Sequence, residues 1–119
     1  MSAEIGLVLS ALADPTRRGI LESVRGRPRS VADIASEFEV SRPAISQHLR
    51  ILEDAALLRS HRSGRQNFYG LDLRGLAILR TYVEGFWDEV LGAFQAAAVE
   101  ESRRGAGPAK GPREKGGPR

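Results

Sequence analysis

The stretch SVADIASEFEVSRPAISQHLRIL, residues 30–52, decides the fold. Ser30 precedes Asp33 by three residues, a capping-box spacing with Asp in place of the longer Glu, and so opens a helix. Val31, Ile34, Ala35 and Phe38 follow at i, i+3, i+4 and i+7, which makes one apolar face. Glu39-Val40 reads as a tight turn. Ser41 then caps a second helix, with Pro43 in the first turn where a missing N–H is tolerated. Ile45, Leu49 and Leu52 form the buried stripe of that helix. With the stripe facing inward, Pro43, Ser46, Gln47 and Arg50 point outward, Arg42 stands at the start and His48 on the flank. Two short helices joined by a turn outline a helix-turn-helix, whose second helix enters the major groove of B-DNA while the first braces it. Gln47 can bond an adenine edge and Arg50 a guanine edge in bidentate fashion, and Ser46 adds a small hydroxyl. Ser41 stands where helix N-terminal N–H groups can hold a phosphate. A plain solvated helix face would also be polar, so this segment alone leaves both readings open.

The residues that follow tilt the balance. After Ala55-Ala56 the period changes, and Leu57 to His61 and Gln66 to Leu71 have strand character about a polar turn, Arg62-Ser63-Gly64-Arg65. Arg59, Arg62 and Arg65 crowd this hairpin. Helix-turn-helix plus basic hairpin predicts a winged helix, with the wing on a groove or a phosphate run. From about Leu73 to Ser102 a last helix carries Leu76, Leu79, Val83, Phe86, Val90 and Phe94 at alternating three- and four-residue steps, a coiled-coil-like seam widened by Trp87 and Leu91.

Upstream, Ile5, Val8, Leu9 and Leu12 give a short first helix, and Asp14-Pro15 caps a second that buries Ile20, Leu21 and Val24 and stops before Gly26-Arg27-Pro28. The expected architecture is therefore mainly α, with five helices and a small β-hairpin wing. Arg17 and Arg18, at the start of the second helix, suit either phosphate contact or pairing with Glu22.

The ordered domain is expected to run over residues 1–104. Residues 105–119 hold five glycines, three prolines and four Lys/Arg against Glu114, a composition expected to stay a disordered basic tail. That tail accounts for the formal net charge of +3 and leaves 14 basic against 14 acidic residues in the body. Arrangement therefore matters more than net charge. Between Ser41 and Tyr69, Arg42, Arg50, Arg59, Arg62 and Arg65 oppose Glu53 and Asp54, whereas Glu84, Asp88, Glu89, Glu100 and Glu101 are all acidic. The chain has no cysteine, which excludes disulfides and thiolate metal sites. His48 and His61 are its only histidines and lack companion ligands, so neither a metal nor another cofactor is expected. No nucleophile–base pair, phosphate loop or carboxylate pair suggests an enzyme. Without a membrane-span-length apolar run or a basic-then-apolar leader, the reading is a cytoplasmic protein with no membrane partner.

The segments LADPTRRGIL, SVADIASEFEVSRPAISQHLRILEDAALL, RSGRQNFYGLD and FWDEVL together resemble the ArsR-type winged-helix regulators, over about residues 5–98. The likeness is to the branch without metal-binding cysteines. It implies a repressor that binds double-stranded DNA as a homodimer built from the first and last helices, often released by an effector that these residues do not identify. VSRPAISQHL corresponds to the start of the recognition helix, which carries DNA contact onto Ser41, Arg42, Ser46, Gln47, His48 and Arg50, and wing contact onto Arg62 and Arg65. Dimer contact falls on Ile5, Val8, Leu12, Leu79, Val83, Phe86, Val90 and Phe94; Phe86 and Trp87 also suit the lining of an effector cavity. Metal-sensing relatives have a cysteine pair where this chain has Ser30 and Ala32, which cannot ligate a soft ion, or Asp and His on the last helix, where residues 73–104 contain no histidine. Glu39 stands where such turns often carry glycine; with a left-handed backbone it would cost ~1 kcal/mol, and Glu39→Gly would raise the melting temperature. The alternative to a DNA-binding regulator is a winged-helix protein–protein interaction module.

Overall fold

The computed structural model describes residues 2–104; the expected tail at 105–119 lies outside the described residues. Among those described, the order is α1 (Ser2–Leu12), α2 (Pro15–Ser23), β1 (Arg29–Ser30), α3 (Val31–Ala35), α4 (Arg42–Asp54), β2 (Leu58–Ser63), β3 (Gln66–Leu71) and α5 (Leu73–Arg103). The chain divides into two units, one through Tyr82 and one from Val83.

The helix starts follow the side-chain chemistry that the sequence announces. Asp14 is the N-cap of α2, its carboxylate accepting the Arg17 backbone N–H at 3.1 Å, with Pro15 at the first helical position. Ser30 Oγ accepts from the Asp33 N–H at 3.1 Å, and Ser41 Oγ from the Ala44 N–H at 3.2 Å. Each satisfies one of the donors that a helix start leaves without an intrahelical partner. The first unit's core gathers Val8 and Ala11 from α1, Ile20 and Leu21 from α2, Ile34 from α3, Ile45, Leu49 and Leu52 from α4, and Val24, Ala55, Leu57 and Leu58. The three large α4 side chains are at most 1% exposed. At roughly 1.5–3 kcal/mol each for full burial, they fix the rotation of that helix about its axis.

Several expectations need correction. The hairpin is two strands of a three-stranded antiparallel sheet ordered β1-β3-β2, in which Arg29 pairs with Tyr69 and Ser30 with Phe68. A two-residue strand carries no periodicity of its own, and only the partner β3 defines it. The wing turn is shorter than expected. Ser63 pairs with Gln66, leaving Gly64-Arg65 as a two-residue turn. Gly64 has φ 63° while Arg65 does not share the positive φ, the type II′ pattern that matches strand twist.

The link from α3 to α4 is longer than a tight turn at Glu39-Val40, because α3 ends at Ala35 and α4 begins at Arg42. Phe38 lies beyond the helix yet still packs against the core. Over that length the chain reverses without a left-handed residue: Glu39 has no positive φ, so the gain expected from Glu39→Gly falls away. The left-handed position is Ala56, at φ 59°, the only such non-glycine residue among those described. There the Leu57 N–H reaches the Leu52 carbonyl and the Ala56 N–H that of Glu53, both at 2.9 Å. These two bonds make a Schellman motif, with alanine where glycine is usual and with buried Leu52 and Leu57 in the accompanying apolar positions.

The start of α5 is seated on this motif. The Gly75 N–H donates to the Ala56 carbonyl at 2.7 Å. Asp72, 3% exposed, accepts from the Arg74 backbone N–H at 3.0 Å and pairs with its guanidinium at 2.6 Å. That hydrogen-bonded ion pair holds the Asp72 carboxyl below its ordinary range against the opposing effect of burial.

Candidate nucleic-acid interface

The face of α4 opposite the Ile45–Leu49–Leu52 stripe carries exposed Arg42, Pro43, Ser46, Gln47 and Arg50. The fold thus brings together five of the six residues expected on this helix and its cap: Ser41, Arg42, Ser46, Gln47 and Arg50 are all solvent-facing. Ser41 has its hydroxyl engaged in capping, as noted above. At the far end Glu53 accepts a hydrogen bond from Ser60 Oγ of β2 at 2.9 Å, which ties the C-terminal end of α4 to the wing. Arg62 and Arg65 are exposed at the wing tip, and Arg62 Nε lies 3.4 Å from the Gly64 carbonyl.

His48 differs from the other five. It is half-buried, and its Nδ1 lies 3.3 Å from Arg17 Nη1. A guanidinium can only donate, so Nδ1 is the acceptor in this contact. One ring edge is therefore turned to α2, and only the other is available to an incoming ligand.

Arg17 and Arg18 do not make the expected pair with Glu22. Arg17 Nε donates to the Ala11 carbonyl at 2.8 Å and Nη2 to that of Ser10 at 3.1 Å. Arg18 Nη1 donates to the Leu12 and Ala13 carbonyls at 2.7 and 3.2 Å. Both side chains fold back onto the C-terminal end of α1, where carbonyls lack intrahelical partners and the helix dipole favours a cation. Glu22 pairs instead with Arg25 at 3.1 Å. Arg17 thereby joins the end of α1 to His48 on α4, a positioning role that no sequence spacing reveals because the partners lie up to 31 residues apart.

The residues expected at a dimer contact sort into two groups. Val8 is wholly buried in its own core, and Ile5, Leu12 and Leu79 pack partly against it. Val8 therefore has no surface to offer a partner. The apolar periodicity of α1 and of the first turns of α5 serves the protomer's own core, and the large apolar α1 side chains left exposed among the described residues are Leu7 and Leu9. Beyond Tyr82 the pattern changes: Val83, Phe86, Trp87, Val90, Leu91, Phe94 and Val99 are all exposed, Phe94 at 74%. Among the described residues no group of three or more His, Cys, Asp or Glu is placed to hold a metal, and no helix is long and apolar enough to cross a membrane.

Residues 14–60, which span α2 through the first half of β2, match the arsR family of bacterial regulatory proteins. An HTH-type transcriptional regulator of Mycobacterium tuberculosis is 44% identical over 84 residues, covering 71% of this chain and 78% of that protein. The chain belongs to the ArsR family. The transcriptional repressor SdpR of Bacillus subtilis is 43% identical to this ArsR-family chain over 65 residues, 55% of this chain and 72% of the repressor. A solution structure from Mycobacterium bovis, described as a homodimeric winged helix-turn-helix DNA-binding domain of a possible ArsR-family regulator, superposes with a TM-score of 0.59 at 26% identity. That match covers 73% of this chain and 81% of the other. The family member described here is thus a winged helix-turn-helix transcription regulator and not an enzyme.

Proposed function

We propose that this ArsR-family regulator is a repressor that binds a pseudo-palindromic operator as a homodimer, with α4 in the major groove and the β2–β3 wing beside it. One observation carries the reading: Ser46, Gln47 and Arg50 are exposed on a helix whose opposite face is locked into the core by Ile45, Leu49 and Leu52. A reading helix needs its rotation fixed, because a turn of a few tens of degrees would replace Gln47 and Arg50 at the bases with other side chains. In this arrangement Gln47 and Arg50 read base edges, Arg42 and Ser41 meet the backbone at the helix start, and Arg62 and Arg65 meet phosphates from the wing. His48 contributes through its Nε2 edge alone.

Dimerisation rests on the exposed stripe of α5 from Val83 to Phe94, which would otherwise leave six large apolar side chains in water. The M. bovis relative, described as homodimeric, supports the pairing of two copies. Two-fold symmetry doubles the contacted sequence and sets the half-site spacing by protein geometry. Residues 1–104 form the DNA-binding and dimerising body in this scheme, and the basic residues 105–119 an appended tail.

Selection of bound duplexes from a random pool tests the proposal. The expected product is a pseudo-palindrome whose half-site centres lie about one helical turn apart or a multiple of it. Enrichment of no sequence at low ionic strength would overturn it in favour of a protein-binding module.

A further inference from the structure

A cleft of about 480 Å³ lies on the wing sheet, bounded by Arg59 and His61 of β2, Gly70 of β3, and Arg25, Arg27 and Pro28 from the segment between α2 and β1. It is distinct from the α4 surface. Side chains alternate across a strand. Leu58 and Leu71 are paired, Leu58 is buried in the core, and Ser60 on the same face reaches Glu53 of α4. Arg59 and His61, paired with Gly70 and Phe68, therefore project from the other face. Gly70 keeps the floor low. A Cβ there would stand 3.3 Å from Pro28 Cγ, so any side chain would crowd the wall that the 24–28 segment makes.

The charge of this cleft is one-sided. No Asp or Glu lines it. Arg25 at the rim is held by Glu22 at 3.1 Å, and Arg59 feels the Asp72 carboxylate at longer range. Asp72 is already paired with Arg74 at 2.6 Å. Among the described residues, Arg27 and Arg59 have no hydrogen-bond or ion-pair partner, and His61 has only its stacking on Phe68, with ring centroids 5.8 Å apart. Arginines lining one concave wall that no carboxylate lines suit a compact ligand with two or more anionic groups, which a guanidinium can bind through paired charge-assisted hydrogen bonds.

We propose that this cleft is a site for a small polyanion, a di- or triphosphate or polycarboxylate, held by Arg27 and Arg59 with His61 and Arg25 at its edges. Arg59 and His61 stand on the sheet face opposite the one on which Ser60 meets Glu53 of α4. A ligand bound there bridges β2 of the wing to the segment that leads into β1, and so bears on how the wing presents Arg62 and Arg65.

Titration calorimetry of the full chain with inorganic pyrophosphate and, separately, with tricarballylate tests the site and separates phosphate from carboxylate recognition. The expected result is saturable one-to-one binding of at least one of them. Affinity should fall about tenfold or more in each of Arg27→Ala and Arg59→Ala, and should stay within about twofold of wild type in Arg103→Ala, which removes the same charge from an exposed position on α5 outside the cleft. Circular dichroism confirms that these exposed-residue variants stay folded. Failure of both probes to bind overturns the proposal, as does binding that Arg103→Ala weakens as much as Arg27→Ala. If Arg27→Ala and Arg59→Ala leave pyrophosphate binding intact but lower the salt dependence of duplex binding, the cleft follows the DNA backbone and the small-ligand assignment is wrong. Operator selection by wild-type protein is read independently, so the two proposals fail separately.

Discussion

Gly75→Ala is expected to destabilise this protein, although the same change in a helix interior ordinarily stabilises by about 0.5–1 kcal/mol. Gly75 is buried near the start of α5. A Cβ at this position would stand 2.5 Å from the Ala56 carbonyl oxygen and 2.7 Å from that of Ala55. Both obstacles are backbone atoms, and Ala56 is itself pinned in the left-handed conformation that closes α4. Neither can swing aside as a side chain would. Relief must come from sliding α5 away, which stretches the 2.7 Å bond between the Gly75 N–H and the Ala56 carbonyl. Overpacking of this kind costs about 1–3 kcal/mol and a weakened hydrogen bond about 1 more. Set against the helical gain, the net loss is about 1–3 kcal/mol. For a domain near 100 residues each kcal/mol moves Tm by about 4–8 °C. Gly85 and Gly92 in the same helix supply the control, since a Cβ at either meets nothing within 4 Å, and alanine there is expected to raise Tm. Thermal and urea melts of the three single variants, compared at one protomer concentration because association shifts Tm, measure the difference. A Gly75→Ala protein that melts with or above the wild type would refute the seating of α5 on the Ala55–Ala56 carbonyls.

Gln47→Ala is expected to relax base preference at one position in each half-site, by about 1–3 kcal/mol of discrimination, while Arg62→Ala weakens binding to every duplex and lowers the salt slope by about one; parallel sequence selections and salt titrations separate the two roles. Val90→Asp places a charge in the α5 stripe and is expected to yield a monomer by sedimentation with operator affinity reduced well over tenfold, more than loss of any single base contact; tight operator binding by that monomer would contradict the dimer reading. Ala56→Gly is expected to raise Tm modestly, since glycine removes about 1–2 kcal/mol of left-handed strain against about 0.5–1 for a freer unfolded chain, whereas Glu39→Gly loses only on the second count and lowers Tm. The carboxyls of Asp14 and Asp72 both titrate below their ordinary 3.8 in the folded state, so the unfolded chain binds protons first on acidification. Stability should be level above about pH 5 and fall as pH drops through about 4 toward the folded-state pKa values, and Asp72→Asn should flatten part of that decline in urea midpoints measured from neutral to acid.

The elements that sequence made legible are those whose causes are local. A cap, a proline and a 3.6-residue stripe lie within one stretch of chain, and so the limits of α2 and α4, and the outward placement of Ser46, Gln47 and Arg50, follow from Asp14-Pro15 and from Ser41 to Leu52. The wing could be seen because the period changes after Ala56. What escaped was set by partners distant in the chain. The strand at Arg29–Ser30 exists only through Phe68 and Tyr69. Arg17 and Arg18 offered Glu22 at helical spacing and chose the open carbonyls of α1, which no pairwise rule places beside them. The left-handed residue stands not at Glu39, where a tight turn would need one, but at Ala56, where helix α4 gives way to the wing.

By itself the sequence determined which residues this protein turns outward on α4 and which it hides, because hydrophobic burial at a fixed helical period leaves a single orientation open. Tertiary structure alone decided which apolar residues remain for a partner. Val8 and Leu79 share the periodicity of Val90 and Phe94, yet burial depends on what lies opposite a side chain, and only the first pair meets the protomer's own core.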